Sequence, residues 1–137
     1  MPHHRATSAM IEVDPTPEDG VVMVHFRGIV TAREFTDLAA TMDNFESKNR
    51  ILVYLNWVEI DHWEFTVPRS SGVAAWRRAR QTLKRVAIIH RPRLNRQAAW
   101  LAAVLREGGV EVRSWLPKNA APAAIWLRRL SAGATLH

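Results

Sequence analysis

The chain contains no cysteine among its 137 residues. That excludes disulfides, thiolate metal sites and cysteine catalysis, and it fits a cytoplasmic setting. Long apolar runs are also missing. The longest, Ala98 to Leu105, has eight residues, against the roughly 20 that a membrane-spanning helix needs. The opening MPHHRATSAM has no apolar core, so no secretory signal is visible. The sequence holds no G-x-S-x-G, P-loop, G-x-G-x-x-G, HExxH or EF-hand pattern, so it offers no nucleotide-binding or hydrolase signature and no expected cofactor or metal.

What is present is an ordinary globular composition, 47% hydrophobic and 23% charged, at a length suited to one domain. The net charge of +6 conceals a division. Residues 1–65 hold 5 Lys/Arg against 11 Asp/Glu, and residues 66–137 hold 14 against 2. A basic surface of this kind suits an anionic membrane, an acidic protein partner or nucleic acid. Equally, the halves could complement each other within one chain or across a homodimer. No nucleic-acid fold signature accompanies the charge, so nucleic acid is not an expected partner.

Residues 21–35, VVMVHFRGIVTAREF, are the most informative stretch. Val22, Val24 and Phe26 alternate with Met23, His25 and Arg27 in strand periodicity. Gly28 is expected to end that strand, and Thr31 with Glu34 forms a T-x-x-E capping box. Met10 to Val13 suggest a preceding strand, and Phe35, Leu38, Ala39, Met42 and Phe45 mark a helix from Ala32 to about Ser47. The continuous apolar run at 51–55, ILVYL, reads as a strand buried on both faces. Residues 56–71 read as irregular, with a solvated acidic loop at Glu59, Asp61, His62 and Glu64. A helix at 72–83, a strand at 86–90, a helix at 96–107 capped by Asn95, a strand at 110–115 and a terminal helix follow. The expected boundaries are a disordered leader at 1–8, one domain at 9–131 and a tail at 132–137. The order β-β-α-β-α-β-α-β-α predicts an α/β fold with a mixed, mostly parallel sheet of about five strands and about four helices.

Three segments carry a family resemblance. They are Gly28-Ile-Val-Thr-Ala-Arg-Glu-Phe35 after its strand, Leu83-Lys-Arg-Val-Ala-Ile-Ile89, and Val112-Arg-Ser-Trp-Leu116 followed by Ala123-Ala-Ile-Trp-Leu127. In order and spacing the chain resembles the STAS fold of anti-sigma-factor antagonists, and more closely the SpoIIAA-like family of small bacterial proteins. The resemblance implies a non-enzymatic binding role, with helices that move to admit a lipid-like ligand or meet a membrane. The antagonists carry a phosphorylated serine in an Asp-Ser-Ser/Gly context. The nearest match here is Arg69-Ser70-Ser71-Gly72, in which arginine replaces the aspartate after a long segment. Ser70 and Ser71 are accordingly the phosphorylation candidates of an alternative reading, a regulatory protein-interaction module.

Ligands of open α/β sheets bind beyond the carboxyl ends of the strands. That rule selects Asn56, Trp57, His90, Arg91 and Trp115 as the expected ligand-binding residues. A Ser-His pair between Ser70 or Ser71 and His90 is conceivable there, but no orienting carboxylate or oxyanion site can be named, so no catalytic residue is assigned. The helix at 72–83 places Val73, Ala75, Trp76, Ala79 and Leu83 on one face, with Arg77, Gln81 and Lys84 opposite and Arg78 and Arg85 beside them. Trp76 with Arg77, Arg78, Arg80, Lys84 and Arg85 forms a candidate membrane or anion face, peripheral at the membrane surface. The same helix could instead be ordinary structure, with Trp76 packed into the core and solvated arginines outside.

Overall fold

A computed structural model of the chain describes residues 10–16, 20–45, 49–64 and 70–135, with the backbone alone at 10, 15, 16, 70, 71 and 129–135. The leader expected at 1–8 lies outside the described residues. Strands β1 (Met10–Thr16), β2 (Val21–Val30), β3 (Ile51–Trp63), β4 (Leu83–Ile89) and β5 (Glu111–Trp115) are interleaved with helices α1 (Ala32–Asp43), α2 (Ser70–Ala79), α3 (Asn95–Glu107) and α4 (Ala120–Thr135). The five strands form one sheet in sequence order. β1 runs antiparallel to β2, and every later pairing is parallel. A strand joined to its parallel neighbour through a helix crosses over with one hand, so α1 to α3 collect on one face of the sheet.

That face holds the larger core. Val22, Val24 and Phe26 of β2 and Val53, Leu55 and Trp57 of β3 meet Phe35, Leu38 and Met42 of α1, Trp76 of α2 and Leu101 and Leu105 of α3. The opposite face holds a smaller core in which α4 sets Ala123 and Leu127 against Leu52, Tyr54, Ala87 and Ile89. One helix cannot cover a five-stranded sheet. Among the described residues, α4 lies along β3, β4 and β5, and no helix is set on the β1 flank of that face.

The longest departure from the sequence reading is β3, which continues through the segment expected to be irregular, to Trp63. Pairing with β2 shifts register between His25 and Arg27 and again between Gly28 and Ile29, each time with an extra residue on β3. The bulges convert the inward spacing from two residues to three, so that Trp57, Ile60 and Trp63 all reach the core. A period of three is neither strand nor helix, and periodicity analysis therefore misses it. Gly28 does not end β2. It sits at φ +78°, where a side chain would be strained, and the strand goes on to Val30.

The capping box forms as expected: Thr31 Oγ1 accepts from the Glu34 backbone N–H at 3.2 Å, and the Glu34 carboxylate accepts the Thr31 N–H at 3.1 Å. Asn95 does not cap α3. It is already helical, with Leu94 in the cap position and no side-chain bond to the first turn. The helix expected at 72–83 stops at Ala79. A 3-10 turn at Arg80–Thr82 follows, in which the Thr82 hydroxyl reaches the Ala79 carbonyl at 2.8 Å and that of Met42 at 3.0 Å. Leu83 can then enter the sheet as the first residue of β4.

Arg85 is the one buried arginine among the described residues, 5% exposed, with Nε 2.8 Å from a Glu111 carboxylate oxygen across the β4–β5 pairing. Its Nη1 finds no partner among the described residues. Desolvating a charge for one half-exposed partner yields little net stability. In urea unfolding, Glu111→Gln, which leaves the buried guanidinium without its counter-charge, should cost about 3–5 kcal/mol, and Arg85→Met should be neutral or stabilising. By contrast, Phe35→Ala should cost about 3–5 kcal/mol, and Thr31→Ala about 1 kcal/mol through the lost cap.

Candidate functional site

The side chains selected at the carboxyl ends of the strands divide between the two faces. Asn56, Ile89 and Trp115 form one cross-strand row, so Asn56 and Trp115 share the α4 face. Trp115 packs there against Trp126 with ring centroids 5.3 Å apart, and the Arg113 guanidinium lies 5.4 Å from the Trp126 ring centre. Trp57, one residue on from Asn56, points to the other face and is 0% exposed. It lines no pocket, because strand alternation delivers it to the main core, where its ring lies 4.9 Å from that of Trp63 and 5.9 Å from that of Phe26.

His90 is also withdrawn, at 3% exposed. Its backbone N–H donates to the Trp115 carbonyl at 3.0 Å, and its Nδ1 lies 2.7 Å from the Arg91 carbonyl. A carbonyl only accepts, so Nδ1 carries the proton and donates. Arg91 Nε donates to the Val58 carbonyl at 3.0 Å, while the Asn56 side-chain oxygen accepts the Val58 N–H at 3.0 Å. Arg93 donates in the same way to the carbonyls of Ile60 and Asp61. These arginines secure the second half of β3, which runs on past its last pairing with β4 at Asn56 and Ile89 and so has no strand partner on that side. The structure thus brings Asn56, Arg91 and Trp115 to one end of the sheet and uses Trp57 and His90 in its interior. The backbones of Ser70 and Ser71 open α2; their side chains lie outside those described.

The six-residue basic face does not form as a unit. Trp76 is 1% exposed, its ring centre 4.8 Å from that of Phe35. Arg77 lies 3.8 Å from the Glu107 carboxylate, and Arg80 donates to the Val104 carbonyl at 2.8 Å. Arg78 is exposed, whereas Lys84 and Arg85 belong to β4 and not to the helix. The early end of α2 is the physical reason: beyond Ala79 the residues follow strand geometry, and a helical wheel no longer describes them.

Among the described residues, a groove lies on the β1–β2 flank of the α4 face. Two cross-strand rows lie side by side there, Glu12–His25–Asn56 and Asp14–Met23–Tyr54. They line a groove of about 400 Å³. At its end the Glu59 carboxylate receives His25 Nε2 at 3.1 Å and Arg27 Nε at 3.0 Å. The His25 hydrogen bond, together with the charges of His25 and Arg27, holds the Glu59 carboxyl below the usual glutamate range. The acidic residues expected on a solvated loop are thus strand residues up to His62, and no metal-binding group forms among the described residues. A pairing of rows across three strands leaves no signature within any one segment, which is why the sequence did not reveal this groove.

A depressed carboxyl contributes stability that is present above its unfolded pKa and lost as pH falls through the folded one. Thermal melts across the acid range should therefore show Tm falling on the acid side of the ordinary glutamate pKa, with Glu59→Gln flattening that limb. An unchanged limb in Glu59→Gln would mean that the contact carries no stability.

No protein-family model and no curated protein matches this sequence. Among solved structures, the chain is similar to an uncharacterised protein of the DUF3478 family with a SpoIIAA-like fold from Shewanella loihica. The two are 18% identical with a TM-score of 0.58, over 88% of this chain and 94% of that one. At that identity the likeness speaks for the fold alone. The sheet order and that neighbour together show that the chain has a SpoIIAA-like α/β fold.

Proposed function

We propose that this chain is a non-enzymatic, SpoIIAA-like binding module that takes a lipid-like ligand beneath α2 and associates reversibly with anionic membrane surfaces. The observation that carries the reading is a pair of buried indole N–H groups, those of Trp57 and Trp76, with no partner among the described residues. Both rings surround Phe35, at 6.2 and 4.8 Å between centroids. A buried donor left without an acceptor costs about 1–3 kcal/mol. A carboxylate or ester oxygen of an acyl-chain ligand would relieve that cost while its chain lay among the aromatic rings.

α2 is the element that would move to admit such a ligand. Its backbone rests chiefly on α1 and α3, and Trp76 is its main plug. Exposing that side chain costs about 1.5–3 kcal/mol, while each basic residue near an anionic surface contributes about 1 kcal/mol. Terms of similar size support reversible association and not permanent insertion. No helix among the described residues is long and apolar enough to cross a membrane.

Native mass spectrometry of freshly purified protein should show a co-purified acyl ligand. Sedimentation should show binding to phosphatidylglycerol vesicles but not to phosphatidylcholine vesicles, with loss of binding as salt shortens the screening length. Arg77→Glu with Arg78→Glu should weaken that binding without unfolding the domain. A ligand-free mass together with equal binding, or none, to both vesicles would refute the proposal.

A further inference from the structure

Glu107 is not explained by its own helix. It is the last residue of α3, where the macrodipole presents its negative end and a carboxylate is disfavoured. It is also one of only two acidic residues in 66–137, and the other, Glu111, faces Arg85. Its partners belong to α2 and to the turn after it. Arg77 Nη2 lies 3.8 Å and Arg80 Nη1 3.4 Å from the same carboxylate oxygen, Oε1. Arg80 Nη1 also donates to the Val104 carbonyl at 2.8 Å, about one turn back along α3.

Gly108 belongs to the same grip. Its φ of −96° is open to residues other than glycine, so the backbone does not require one there. The Arg80 stem does require it: a Cβ at 108 would stand 2.5 Å from Arg80 Cδ and Nε. Arg80 thus lies in a slot that the missing side chain provides. The two arginines differ in freedom. Arg80 is largely covered, with 23% of its side chain exposed, whereas Arg77 is 55% exposed and can exchange one anion for another.

We infer that Glu107 is an autoinhibitory latch on α2. It occupies on Arg77 the place that a lipid phosphate would take, and so keeps the helix down and Trp76 seated until an anionic surface competes for the arginine. What competes rests on the membrane reading above; the latch itself is a property of the α2–α3 contact. Ion pairs of this length and exposure are each weak. Weakness suits the role, because the pairs bias a local opening equilibrium without locking it.

The test reads amide hydrogen exchange of the full chain by NMR beside sedimentation with phosphatidylglycerol vesicles. Glu107→Gln should speed exchange of the amides of 74–79 about two- to fivefold and raise vesicle affinity by a similar factor. Asp37→Asn removes the same charge from α1, away from the latch, and should leave α2 exchange unchanged. Arg77→Gln should speed α2 exchange like Glu107→Gln yet weaken vesicle binding, a split that a general charge effect does not give. Gly108→Ala, which pushes Arg80 from its slot with no change of charge, should also speed α2 exchange. Unchanged α2 exchange in Glu107→Gln would overturn the latch whatever the vesicles do. So would a measurable vesicle affinity in Glu107→Gln no higher than that of Asp37→Asn. Faster α2 exchange with no vesicle binding by any form would overturn the membrane reading and uphold the hold of Glu107 on α2.

Discussion

The ring of Phe35 joins elements that the chain makes far apart. Its centroid lies 4.8 Å from Trp76 of α2, 5.1 Å from Trp63 and 6.2 Å from Trp57 of β3, and 6.3 Å from Trp100 of α3. Tilted and edge-on contacts of this kind add to the area they bury. Phe35 can serve as the hub because β2 ends at Val30 and the Thr31–Glu34 box fixes where α1 begins immediately after it. The packing of every helix on that face depends on where this ring stands.

β3 is the element that makes such a hub reachable. A five-residue strand would bring only Ile51 to Leu55 to the sheet. Two bulges carry it on to Trp63 and deliver Trp57, Ile60 and Trp63 to one face in succession. β3 thereby outruns β4, whose pairing with it ends at Asn56 and Ile89, and Arg91 and Arg93 take up its carbonyls from beyond the end of β4. Part of the arginine content is therefore structural. An arginine that donates to a carbonyl has already used some of its hydrogen-bonding capacity, so a count of basic residues overstates the cationic surface available to a partner.

Charge acquires a direction only through topology. Because the strands lie in sequence order, the acidic first half and the basic second half become opposite flanks of one sheet. In a sheet whose order was shuffled the same composition would have been mixed. Among the described residues, one helix lies on the second face, along β3, β4 and β5 and not along β1. There the Glu12–His25–Asn56 and Asp14–Met23–Tyr54 rows line a groove.

Local chemistry settled much of the fold. The alternation of Val22, Val24 and Phe26, the apolar run from Ile51 to Leu55, and Thr31 with Glu34 each act over a few residues, and those residues suffice to recognise a strand, a buried strand and a helix entry. The resemblance rested on such segments in order, and the SpoIIAA-like fold followed from them. The end of α2 at Ala79, the bulges of β3 and the side to which Trp57 turns depend on partners distant in sequence. A helical wheel through Lys84 and a loop at 56–71 were both read from within one segment, where those partners cannot be seen. The candidate sites follow the same division: Asn56, Arg91 and Trp115 were legible as strand ends, whereas Tyr54 joined Asp14 and Met23 only through pairing across three strands. Sequence alone determined which residues would be apolar, capped or charged; tertiary structure decided which would face one another, because register and layer are properties of pairs.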